Sequence, residues 1–84
     1  MSERVVSGGE RPRVSTERLA ELLVAYEGSF IGERPERVVL ADDSDEALAA
    51  ALVATKLLIP LVARPAASQA ATANGRLIAQ LADA

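Results

Sequence analysis

Histidine, cysteine and tryptophan are absent from this 84-residue sequence, and its only aromatic side chains are Tyr26 and Phe30. Without cysteine there are no disulfides, thiolate metal sites or cysteine nucleophiles. Without histidine the commonest general base and metal ligand is gone. Two rings make a poor stacking platform for single-stranded nucleic acid. Basic charge is scarce as well: 9 Lys and Arg face 12 Asp and Glu, a net charge of −3. That balance argues against a nucleic-acid footprint. No apolar run reaches the roughly 18 residues of a membrane helix. The polar stretch Met1 to Arg13 has no apolar segment of the kind a secretory signal carries. The expectation is a soluble, cytoplasmic protein with no membrane or nucleic-acid partner, no metal and no cofactor.

Aliphatic and alanine side chains dominate what is present. At 50% hydrophobic, the chain is too apolar to stay disordered. A chain this short is one domain and buries only about 60% of its unfolded surface. Residues 1–13, with Gly8, Gly9 and Pro12, read as a flexible N-terminal tail, and residues 14–84 as a single α/β domain.

Ser15 or Thr16 fits a helix N-cap, and Leu19, Leu22, Leu23, Tyr26 and Phe30 follow at helical spacing. This predicts a helix over about 16–31, ended by Gly32 and Pro35. Val38 to Ala41 reads as a short buried strand. Ser44 or Asp43 then caps a helix over about 45–57 that is apolar nearly all round. Leu58 to Ala63 reads as a second strand with Pro60 near its start. Residues 66–73 fit a loop or a weak helix, and Asn74 to Asp83 a last helix.

The order αβαβα contains one βαβ unit, a small Rossmann-like fragment with a two-stranded parallel core. Two parallel strands leave two open edges and are marginal alone. The expected remedy is self-association, most simply a dimer that extends the sheet or packs helices across a two-fold axis.

One polar cluster falls where open α/β sheets bind ligands. Asp42, Asp43 and Ser44 follow the first strand and open a helix. Free N–H groups there favour an anion, but Asp42, Asp43, Asp45 and Glu46 would repel a phosphate unless a divalent cation intervened. Helix capping with a solvated charge run is the plainer reading of that cluster. Neither Ser44 nor Ser68 has a histidine to activate it, and Lys56 fits a snorkelling surface side chain.

The stretch from about Thr16 to Asp83 resembles one segment of the non-hydrolysing UDP-N-acetylglucosamine 2-epimerases. Glu33-Arg34-Pro35-Glu36-Arg37-Val38-Val39-Leu40 is similar to the family's helix end and strand. Asp43-Ser44 stands at its Asp-Thr, Ala47 to Leu52 at its Ala-Leu helix, and Ile59-Pro60 at the start of its next strand. Asn74, Arg76, Leu77, Ile78, Leu81, Ala82 and Asp83 match its later helix. Where the family has His-Val-Glu-Ala-Gly-Leu-Arg, this sequence reads Ala63-Arg64-Pro65-Ala66-Ala67-Ser68-Gln69. The family's Glu-Glu pair is replaced by Ala71 and Thr72, and the 84 residues hold no counterpart of its N-terminal strand motif or its C-terminal domain.

The resemblance implies an epimerase-like scaffold whose acid/base carboxylates and nucleotide clamp are not in this stretch. No epimerase activity is expected of the chain alone; only in a complex would it be isomerase-like. The function implied first is non-catalytic: self-association, as a homodimer, or binding of a protein partner. The alternatives are a weak binding module for a UDP-N-acetylglucosamine-like nucleotide sugar, or one subunit of a split epimerase. Asp43, Ser44, Asn74 and Arg76 are the candidate ligand-binding residues, with no catalytic residue among them.

Overall fold

The computed structural model describes residues 2–8 and 15–84. Its elements run β1 (Glu3–Val6), α1 (Thr16–Glu33), β2 (Arg37–Leu40), α2 (Asp45–Lys56), β3 (Leu61–Ala63), α3 (Pro65–Ser68) and α4 (Ala73–Leu81). The three strands form one parallel sheet in the order β1-β2-β3. The small α/β class expected from the sequence is therefore what the chain adopts.

The two-stranded core is corrected to three strands, and the third comes from residues expected in the tail. Glu3, Arg4, Val5 and Val6 lie beside Arg37, Val38, Val39 and Leu40 in parallel register. Local sequence hides this strand because only two of its four residues are apolar. Its order comes from distant partners. The Arg37 guanidinium meets the Glu3 carboxylate at 2.7 Å, and Arg4 reaches Glu33 of α1 at 2.8 Å. The Arg4 guanidinium also lies 5.9 Å from the ring centres of both Tyr26 and Phe30, within cation–π range. Val6 is buried in the core. The remainder of the expected tail, Met1 and residues 9–13, lies outside the described residues.

Alternation along the strands sorts side chains between two faces. Val6, Val38, Leu40 and Leu61 join a core with Phe30, Ala47, Leu48, Ala50, Ala51, Val53, Ala54, Ala67 and Ile78. Val5, Val39 and Val62 stand in one cross-strand row on the opposite face. The alanine-rich α2 is central to the core and contacts α1, α4 and all three strands. Small side chains permit that close approach, so the chain itself covers most of this apolar surface and leaves Leu52 exposed.

Ser15 caps α1 by accepting from the Arg18 N–H, and Ser44 caps α2 by accepting from the Ala47 N–H. Thr72 does the same for α4 through the Gly75 N–H. At Gly75 an added Cβ would run into the Ala70 carbonyl oxygen, so the α3–α4 turn requires glycine there. The predicted strand 58–63 shortens to Leu61–Ala63. Residues 57–59 instead close α2, with Leu58 N–H bonded to Thr55 O and Ile59 N–H to Ala54 O. This is a Schellman closure, and it puts Leu58 at a left-handed φ of 59°.

The chain also covers one of its sheet edges. Asp83 N–H donates to Leu61 O, Ala63 N–H to Ala84 O, and the Asp83 side chain accepts from Leu61 N–H at 2.7 Å. The C-terminal residues thus lie along β3. Among the described residues, β1 is the edge strand with no neighbour on its outer side. No helix of the described residues is long and apolar enough to cross a membrane.

Candidate functional site

The carboxyl ends of β1 and β2 bring Ser7, Gly8, Asp42, Asp43 and Ser44 to one end of the sheet. Asp42 folds back on itself: its Oδ1 accepts from the Ser44 N–H at 3.1 Å, an Asx-type turn. Its Oδ2 accepts from the Ser7 hydroxyl at 2.7 Å. The Gly8 N–H donates to Ser44 Oγ at 3.1 Å, the same oxygen that caps α2. A Cβ at Gly8 would stand 2.6 Å from Ser44 Oγ, so glycine allows the end of β1 to close on the cap.

Asp43 faces α4. Its Oδ2 accepts from the Thr72 hydroxyl at 2.7 Å, and its backbone carbonyl from Asn74 Nδ2 at 3.0 Å. Asn74 Nδ2 donates again, to Asp45 Oδ1 at 2.8 Å. On the other side the Tyr26 hydroxyl donates to Glu46 Oε1 at 3.2 Å. The four acidic residues near the start of α2 are therefore held by hydroxyl, amide and backbone donors. Through them the network ties α1, α4 and the end of β1 to the start of α2.

Of the sequence-predicted site residues, Asp43, Ser44 and Asn74 converge. Arg76 is exposed, and two residues along an α-helix is about 200° around its axis from Asn74. No described hydrogen bond or ion pair links it to the cluster. Ser7, Gly8 and Thr72 also belong to the network, although the sequence does not mark them as site residues. Thr72 carried one signal, a cap-type residue just before the last predicted helix. Ser7 and Gly8 carried none, because the strand that delivers them was not legible.

The arrangement can accept and donate hydrogen bonds, but its groups are occupied by structural partners. Among the described residues no three acidic side chains are grouped so as to hold a metal ion. No buried side-chain nitrogen or oxygen lacks a partner among them. The Ser68 hydroxyl bonds to the Arg64 carbonyl of its own turn, and no base stands beside it. Besides a hollow on the outer face of α1 along Glu17, Ala20, Glu21, Val24 and Ala25, two grooves lie elsewhere. One, at the foot of α2 and β3, is lined by Thr55, Leu58, Pro60, Leu61, Leu81 and Asp83. The other runs between α1 and α2, lined by Leu23, Val24, Glu27, Leu52, Val53 and Lys56. No protein-family model matches the chain, and no curated protein and no solved structure matches it.

Proposed function

We propose that this chain is a non-catalytic, cytoplasmic association module: an epimerase-like, Rossmann-like scaffold that acts by pairing with a second copy or a protein partner. One contrast carries the reading. The polar side chains at the strand ends are engaged in joining helices to strands, while large apolar side chains stand exposed on the helices. Val24 is 72% and Ile31 54% exposed on α1, and Leu52 is 36% exposed on α2. Scattered singly, such residues are ordinary; gathered on one face, they mark contact surfaces.

Sheet completion supports association less than two strands would, because the chain supplies its own third strand and lines the outer edge of β3, which leaves the outer side of β1 as the open edge among the described residues. The exposed helical face supports it instead. A second reading, weak binding of a UDP-N-acetylglucosamine-like ligand, draws on the meeting of Asp43, Ser44 and Asn74 at the end of β2. Against it stand the local acidic charge and the separate position of Arg76.

Titration with UDP and UDP-N-acetylglucosamine, with and without Mg²⁺, separates the two readings. Backbone amide NMR shifts of residues 42–46 and 72–76 are predicted to stay unchanged at millimolar ligand. Saturable shifts there would replace the first reading with the second. Size-exclusion chromatography with light scattering tests the association itself.

A further inference from the structure

The groove between α1 and α2 combines an apolar floor with one charge of each sign. Leu23, Leu52 and Val53 form the floor, Val24 and Glu27 rise from α1, and Lys56 from α2. No described ion pair includes either charge. Val24 and Ile31 continue an apolar ridge along α1, seven residues apart and so about two turns. We infer that this groove is the docking surface for a second copy of the same chain, in a two-fold dimer that seats α1 of each copy on α2 of the other. This inference rests on the association reading and specifies its surface and its partner.

Charge pattern and size support that occupant. A two-fold axis lying in the interface and running along the groove exchanges the α1 side with the α2 side. It therefore sets Glu27 of each copy against Lys56 of the other, twice per dimer. It also lays the ridge of Val24 and Ile31 over Leu52 and Val53. An isologous contact needs this kind of self-complementarity: residue i meets j, and j meets i. α1 has 18 residues, giving a face about 27 Å long. Two helices side by side make it about 20 Å wide. A contact of that size removes roughly 1,000 Å² in total from water, near the lower bound for a specific interface.

The test uses sedimentation velocity on the full chain and three variants, with circular dichroism confirming that each is folded. Val24→Glu is expected to weaken self-association by at least about 100-fold, because it buries a charge at the centre of the contact. Glu27→Lys and Lys56→Glu are each expected to weaken it about tenfold through like-charge pairs. Mixing these two single variants restores both opposite-charge contacts in a heterodimer, so native mass spectrometry should show the heterodimer exceeding either homodimer. An ion pair within one chain would give no such preference. If the wild type dimerises and Val24→Glu does so equally well, the groove is not the interface, whereas the association reading stands. If the wild type stays monomeric, this inference and the self-association half of the reading are overturned, and only pairing with a different protein is left.

Discussion

Leu58 holds a left-handed backbone conformation and leaves 89% of its surface exposed. Glycine is the usual residue at that point of a Schellman closure, since a Cβ there costs roughly 1 kcal/mol. Leu58→Gly is therefore expected to raise stability by about 0.5–1 kcal/mol, read as a higher urea midpoint with unchanged slope. An unchanged or lower midpoint would mean that the Leu58 side chain stabilises the fold. Residue-level legibility was uneven for the same physical reason. Ser44 could be read as a cap because its hydroxyl acts on a neighbouring N–H of its own helix. The left-handed residues Arg34 and Leu58 could not be read, because nothing in an arginine or a leucine announces a positive φ. The bond from Gly8 to Ser44 spans 36 positions, and no local pattern encodes it.

At the scale of elements, α1, β2, α2 and α4 were legible because each carries its own periodicity or apolar run with a cap or breaker beside it. β1 was not. Its ladder is made with residues about 34 positions away, and its outward Val5 and ion-paired Arg4 blur the strand pattern. Val6 decides whether this element contributes to the fold. It is 3% exposed, so Val6→Ala is expected to cost about 1–2 kcal/mol in chemical denaturation through lost methyl groups and the cavity left behind. A residue in a tail would change stability by less than about 0.5 kcal/mol. A value that small would remove β1 from the cooperative fold. The strand predicted at 58–63 began three residues late because the closure of α2 used Leu58 and Ile59 first.

For the molecule as a whole, the ligand site suggested by sequence divides in two. Asp43, Ser44 and Asn74 meet at the end of the sheet, and their bonds hold α2 and α4 in place. Arg76 stands apart. The network at the strand ends gives the polar residues of this small α/β fold a structural use. Of the large apolar side chains left exposed, Val24, Ile31 and Leu52 lie on α1 and α2, while Val5, Leu58 and Leu77 stand elsewhere. The measurement that bears most directly on this account is sedimentation equilibrium of the full chain from low micromolar to several hundred micromolar. A self-associating chain gives a mass that rises with concentration from 8.8 kDa toward twice that value. A mass that stays at 8.8 kDa across the range would contradict the account's claim of self-association.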